Sequence, residues 1–303
     1  MSHQRTRVAL SQNFLRDPQF AEHLVRLAAL DANDTVIEIG PGSGVLTARL
    51  ARHCRQVLAI EKDTSLARKL TRRFGHENAV AIFAADFLDF PLPSSRYKVF
   101  ANIPFAITTA IVSKLTTGVS PPEDAWLVMQ REAAQRFLGE PNGTLVAALL
   151  YPWFAGQIRH RFHRSDFVPQ PGVGVDLLQL SRRREPLIAP ESADFYRDAV
   201  TFAYTAWQPT VQAALATVIP GARRACVSRA AGVDLHRPPS ALSGDEWVAI
   251  ALAIQAELPA VPAAFHDAAV RLEHQQARLE SRSRAGASAR SLPATCPRAG
   301  RKR

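Results

Sequence analysis

An α/β fold, a doubly wound parallel sheet followed by a small all-helical domain, is what the sequence predicts, and three observations carry it. Short apolar runs rich in β-branched residues alternate with helix-forming stretches as far as Leu180. The first run, Val36-Ile-Glu-Ile39, breaks into Gly40-Pro-Gly-Ser-Gly44, a tight turn at which a helix begins. Around Pro186 and Pro190 the composition shifts, and the chain beyond them reads as helix. A chain of 303 residues has room for roughly two domains of about 100 to 200 residues each.

Taken in order, Ser11 to Leu15 is a polar loop before a helix whose start is written out: Asp17 as N-cap, Pro18 in the first turn, then Phe20, Leu24, Leu27 and Ala28 on one face. The strand at Val36 leads through the glycine turn to a helix over Val45–His53. Val57–Ile60 is the next strand, ending in Glu61, and Thr64–Phe74 its helix. Val80–Phe83 leads to Asp86, and Lys98–Ala101 to Asn102-Ile-Pro-Phe105. A helix over Ile107–Leu115 is stopped by Gly118, Trp126–Met129 makes a fifth strand, and a helix comes next around Thr144–Leu150. Ile158–Phe162 and Val173–Leu180 close the sheet as an antiparallel pair, shaped by Pro169, Pro171 and two glycines. Beyond Pro190, Phe195, Ala199, Phe202 and Ala203 share a helix face, Pro209 opens a helix that stops at Pro220-Gly221, and Ser243-Gly-Asp-Glu246 is a capping box before Trp247, Ile250, Ala251 and Ile254. From Pro259 the chain turns to alanine, proline, serine and arginine, too poor in apolar surface to offset ordering entropy, although 265–279 is compatible with a helix. The expected domains are 1–185 (catalytic), 186–258 (helical) and 259–303 (a flexible basic tail).

Composition narrows the function. A net charge of +10 and a pI near 10.2 favour a polyanionic partner, nucleic acid first. The three cysteines, Cys54, Cys226 and Cys296, are too far apart for a disulfide framework or a zinc knuckle. The polar start Met1 to Arg7 is not a secretory signal, and the longest apolar stretch, Leu145 to Gly156, is interrupted by Pro152 and short of the roughly 20 residues a bilayer needs. A cytoplasmic protein without a membrane segment is expected. His160 and His163 lack a third ligand at usable spacing, so no metal is expected either.

The strand ends carry the chemistry. Gly-x-Gly-x-Gly at 40–44 is not the Gly-x-Gly-x-x-Gly that seats a pyrophosphate. In place of that phosphate cradle, the acid Glu38 precedes the turn, as a ligand with a cationic amino-acid end requires; S-adenosylmethionine is such a ligand. Glu61 stands where an acid accepts both ribose hydroxyls, and Asp86 where one accepts from an adenine amine. Each alone reads as a solvated strand end. Acids and Asn102 at four successive strand ends mark the crevice where open α/β sheets bind ligands, and give a Rossmann-like, class I S-adenosylmethionine-dependent methyltransferase sheet.

With Gln12-Asn-Phe14, Glu38-Ile-Gly-Pro-Gly42, Glu61, Asp86, Asn102-Ile-Pro-Phe105 and Phe167-Val-Pro-Gln-Pro171 in this order, the chain resembles the ribosomal RNA adenine dimethyltransferases over roughly Leu10 to Gln255. Within them it is most similar to the Erm type, which acts on 23S rRNA and confers macrolide, lincosamide and streptogramin B resistance. The small-subunit branch usually has Asn-Leu-Pro-Tyr and a basic Gln-Arg-Arg-Lys segment. This chain has Ile103, Phe105 and, after Trp207, Gln208-Pro-Thr210.

The resemblance implies methyl transfer to the exocyclic amine of an adenine. Asn102 and the Ile103 carbonyl, held by Pro104, would accept the amine hydrogens; Phe105 would stack on the flipped base, with Phe167 as second aromatic. Asn13, Leu15, Glu38, Gly40, Gly42, Glu61, Asp86, Phe87 and Asn102 would hold the cofactor. The implied partner is 23S rRNA before or during ribosome assembly, and the protein a monomer. Arg131, Arg136, Arg159, Arg161, Arg164, Arg182, Arg183, Arg184, Arg223 and Arg224 are candidates to grip RNA, each weighed against an ordinary surface arginine. A DNA adenine methyltransferase and a non-catalytic RNA-binding protein are the rivals. The intact Asn102 and cofactor acids argue against the latter, and Ile103 with Gln12-Asn-Phe14 against the former.

Overall fold

A computed structural model describes residues 14–276 and 278, which divide into a catalytic unit (to 189, with 240–245) and a helical unit (190–239 and from 246). In the catalytic unit the strands are β1 (Phe14–Leu15), β2 (Thr35–Ile39), β3 (Gln56–Glu61), β4 (Val80–Ala84), β5 (Lys98–Asn102), β6 (Asp124–Gln130), β7 (Phe154–Phe162), β8 (Phe167–Val168) and β9 (Val175–Arg182). The helices are α1 (Pro18–Leu27), α2 (Thr47–His53), α3 (Thr64–Phe74), α4 (Thr108–Thr117), α5 (Arg131–Leu138) and α6 (Leu145–Leu150). Seven strands form one sheet in the order β4-β3-β2-β5-β6-β9-β7, parallel from β4 through β6. β9 runs antiparallel to both β6 and β7, the closing pair expected.

Alternation along the strands sorts the core into two layers. Ile37, Ile39, Leu127 and Met129 face α4 and α5 on one side, and Val36, Trp126 and Val128 face α1 and α2 on the other. Leu24 and Leu50 are wholly buried in the second layer, and each such burial contributes about 1.5 to 3 kcal/mol. Glu38 shares the parity of Val36, so it lies on the α1–α2 side, beside the glycine turn.

Helix starts match the sequence closely. Asp17 Oδ1 accepts from Gln19 N at 2.8 Å, and Asp63 Oδ1 from Ser65 N at 2.7 Å and Leu66 N at 3.1 Å. Three features were not foreseen. Helix α5 succeeds β6 with no turn signal and buries only Ala134 and Phe137 before Gly139 ends it at φ 72°. Strand β7 starts at Phe154 because Gly156 lets it pass close to α5; a Cβ there would lie 2.5 Å from Leu138 Cδ2. β1 and β8 form a two-stranded antiparallel ribbon of their own, with Leu15 opposite Phe167.

The helical unit contains α7 (Ala193–Thr205), α8 (Val211–Ala216), α9 (Gly221–Ala231) and most of α10 (Gly244–Glu257). Tyr196, Val200, Val211, Leu215, Val227, Trp247, Ile250 and Ile254 are buried in it. Helix α9 begins at Gly221, where the sequence suggested only a stop; just one of its residues, Val227, is buried, so no apolar face announces it. The stretch assigned to the tail from residue 259 is folded onto this unit as far as it is described. Phe265 is wholly buried, with ring centroids 6.2 Å from Phe195 and 5.0 Å from Phe202, and Asp198 accepts from Asp267 N at 2.8 Å and Ala269 N at 3.0 Å. A helical run over 268–276 comes after it. The remainder of the expected tail, 277 and 279–303, lies outside the described residues.

Candidate active site

Strand order reverses at β2, which pairs with β3 on one side and β5 on the other. At the carboxyl ends of β2 and β5 a cleft of about 370 Å³, open to solvent, is lined by Leu15, Glu38, Gly40, Pro41, Ser43, Val45, Leu46 and Asn102. That is the switch-point crevice at which such sheets bind ligands. Gly40, Gly42 and Gly44 sit at φ 67°, 58° and 76°, left-handed conformations that glycine alone adopts freely, and they let the backbone turn from β2 toward α2 within five residues.

Glu61 ties this turn down. Its Oε2 accepts from Gly42 N at 3.0 Å and its Oε1 from Asp63 N at 2.9 Å, at 2 % exposure. A carboxylate has about four acceptor sites, so these bonds leave it capacity for a hydroxyl donor. Burial raises its pKa, opposed by those amides. Glu38 is buried too, and its Oε2 has no hydrogen-bond partner among the described residues. Desolvation pushes its carboxyl up to about 8, with Thr47 beside it opposing and the Glu61 charge adding. A buried carboxyl oxygen left unpartnered in the cleft fits a cationic ligand group.

Asp86 is less open than the sequence implied. Lys62 Nζ donates to its Oδ2 at 2.5 Å and Leu88 N to its Oδ1 at 3.0 Å, and the Lys62 ammonium holds its pKa low. Sequence reading missed Lys62, because a lysine after a strand reads as solvated surface. Phe87 is buried beneath the loop, with the Lys114 ammonium 5.2 Å from its ring centroid. Lys114 also donates to Leu88 O at 2.7 Å and Phe90 O at 2.6 Å, which pins the segment after Asp86 to α4.

On the other lip, half-buried Asn102 ends β5 in the cleft. Ile103 N donates to Val128 O at 3.1 Å, while Pro104 O accepts from Ile107 N at 3.2 Å, fixing the motif to β6 and to the turn entering α4. Phe105 is half-buried and keeps an exposed portion. Phe167, expected as the second aromatic, is 0 % exposed and 5.1 Å from the Phe162 ring, within the core layer that Phe105 flanks. The cause is its pairing with β1, which turns Phe167 inward and leaves the next residue, Val168, 47 % exposed. Asn13 lies outside the described residues.

Most candidate arginines serve the fold. Arg131 pairs with buried Asp176 at 3.2 Å, Arg136 donates to Thr109 Oγ1 at 2.6 Å, and Arg164 and Arg182 donate to the carbonyls of Gly172 and Pro121. Arg183 donates to Tyr151 O at 3.0 Å, Arg223 to Glu257 O at 2.8 Å, and Arg224 to Ile219 O. Arg159 and Arg161 are exposed on β7, the edge strand, and Arg184 is exposed beyond β9. No cluster of His, Cys, Asp or Glu suited to a metal occurs among the described residues.

The profile of a protein family described as ribosomal RNA adenine dimethylase matches residues 3–256. An rRNA adenine N-6-methyltransferase of Corynebacterium diphtheriae is 37 % identical over 195 residues, 64 % of this chain and 76 % of that protein. A ribosomal RNA small subunit methyltransferase A of Streptococcus pyogenes is 35 % identical over 201 residues, 62 % of this chain and 67 % of that protein. Among solved structures, the 23S rRNA methyltransferase ErmE superposes with a TM-score of 0.73 at 28 % identity, covering 80 % of this chain and 100 % of that one. A dimethyladenosine transferase from Plasmodium falciparum, at 19 % identity and TM-score 0.67 over 80 % of this chain and 98 % of its own, shares the fold.

Proposed function

Because this chain belongs to the ribosomal RNA adenine dimethylase family and is an S-adenosylmethionine-dependent rRNA adenine-N6 methyltransferase, we propose that its target is an adenine of 23S rRNA, met before or during ribosome assembly. We further propose that the modification confers resistance to macrolides, lincosamides and streptogramin B. The carrying observation is the switch-point cleft, where Glu38, the Glu61-tethered glycine turn and Asn102 converge. Support for the large-subunit target comes from the ErmE superposition over that whole chain and from Ile103, Phe105 and Gln208-Pro-Thr210, which depart from the small-subunit pattern.

Bound S-adenosylmethionine supplies a methyl group already activated on a sulfonium. Glu38 accepts from the ammonium of its amino-acid end and Glu61 from the ribose hydroxyls. Asp86 keeps acceptor capacity for the adenine amine beside Lys62. The target amine is a poor nucleophile because its lone pair is delocalised into the ring. The Asn102 side-chain oxygen and the Ile103 carbonyl accept its two hydrogens, favouring the geometry in which the lone pair is free, and Phe105 stacks on the base. Positioning of this kind is worth about 7 to 11 kcal/mol, so no general base is assigned. The protein acts as a monomer in this reading, in the cytoplasm where its substrate is made.

Primer extension on rRNA from a susceptible host expressing the protein tests the proposal. A stop at one adenine of 23S rRNA together with macrolide resistance is expected. Stops confined to 16S rRNA would establish the second reading, a small-subunit enzyme, which the 35 % identity to the streptococcal protein favours.

A further inference from the structure

Helix α7 ends in a way the fold does not need. Ala206 is its C-cap, and the next residue occupies the left-handed region at φ 53°. Helices commonly place glycine there, because a Cβ in that conformation is penalised. Here the residue is Trp207, the bulkiest side chain available, and it is 96 % exposed, so its indole returns no burial energy to the unit. Three residues further on the chain is pinned: Val211 N donates to Arg237 O at 3.1 Å, Gln212 N to Leu235 O at 2.7 Å, and Thr210 Oγ1 caps α8 by accepting from Ala213 N at 3.1 Å. A strained backbone position between two helices that presents a bare aromatic surface is the pattern of a residue kept for an external partner.

We propose that Trp207 is a stacking platform for an unpaired base of the rRNA substrate. The proposal rests on the chain being an rRNA methyltransferase. Charge argues for this mode of binding over phosphate binding. Residues 190–239 and 246–276 carry six arginines and no lysine against eight Asp or Glu, so this folded stretch around Trp207 lacks the cationic excess with which proteins grip a phosphate backbone. Stacking needs no such excess, since every base has a π face, and tryptophan gives the largest surface for it.

The test uses the full chain as wild type, Trp207→Gly, Trp207→Phe and Trp207→Leu. Filter binding to a 23S and a 16S fragment is measured across a salt series, with thermal melts alongside, and read on whichever fragment the wild type methylates. Trp207→Gly is expected to melt at or above the wild-type temperature, because glycine relieves the left-handed strain, yet to bind RNA roughly 5- to 150-fold more weakly with an unchanged salt slope. Phenylalanine should stay within a few fold of wild type, and leucine should fall with glycine. Wild-type affinity in Trp207→Gly, full rescue by leucine, or a flattened salt slope in Trp207→Gly would each overturn the platform. Methylation of the 16S fragment alone would instead defeat the 23S assignment and leave the Trp207 comparison readable on that RNA.

Discussion

At the scale of single residues, Asn102 and Glu61 separate chemistry from binding. Asn102→Ala is expected to remove methyl transfer while changing cofactor affinity only a few fold, as read by single-turnover rates beside calorimetric binding; parallel losses would place the amide in cofactor binding. Glu61→Ala should instead weaken S-adenosylmethionine by about 1.5 to 3 kcal/mol, the worth of hydrogen bonds to a charged group, and loosen the turn through Gly42. Glu38 carries a pH signature. Its folded carboxyl titrates near 8 against an ordinary 4.5, so between those values the unfolded chain binds fewer protons than the folded one, and stability falls as pH rises through that window. Urea titrations at pH 5 and pH 8 should show Glu38→Gln losing less stability than wild type between the two; identical losses would mean Glu38 is ionised in the fold. These three residues were legible because each sits at a fixed offset from a strand end. The burial of Phe167 was not legible, because strand parity turns a side chain inward or outward within one residue and nothing in the sequence announced β1 as its partner.

Among the elements, the parallel strands and the helices attached to them were readable because periodicity switches at each glycine or N-cap. Helices α5 and α9 were not, since each buries too few residues to leave a pattern. The glycine turn shows why three glycines are spaced as they are. At Gly44 a Cβ would come within 2.7 Å of Phe74 Cε2 and 2.8 Å of Leu70 Cδ2, so this glycine is there for the seating of α3, whereas Gly40 lines the cleft. Gly44→Ala should therefore cost about 2 to 4 kcal/mol, overpacking plus left-handed strain, in a chemical denaturation midpoint. A wild-type midpoint would show that α3 yields at no expense.

For the whole molecule, the net charge of +10 was plain in the composition, but its placement changes its meaning. Seven Lys or Arg are balanced only by Glu280 within 279–303, while the helical unit has more acids than bases through residue 276. The stretch 186–258, with seven acids against five arginines, therefore lacks the charge for an electrostatic grip on RNA. Ending the chain after Arg278 should weaken RNA binding alike for all sequences and flatten the salt dependence by about 0.7 to 0.9 for each phosphate no longer bound, with the same adenine methylated. Parallel salt slopes for the two lengths would show that these cations touch no phosphate.

The ribbon of β1 and β8 also sets a schedule. Leu15 lines the cleft, but its strand partner is Phe167, so Phe14 and Leu15 wait for more than 150 later residues before their place exists. At about 5 to 20 residues per second, the cleft stays incomplete for roughly 8 to 30 s of translation, and the growing chain has no finished cofactor site until β8 has been made. Nascent chains arrested before residue 167 should remain as protease-sensitive with S-adenosylmethionine as without it, while chains arrested well beyond Arg182 should be protected.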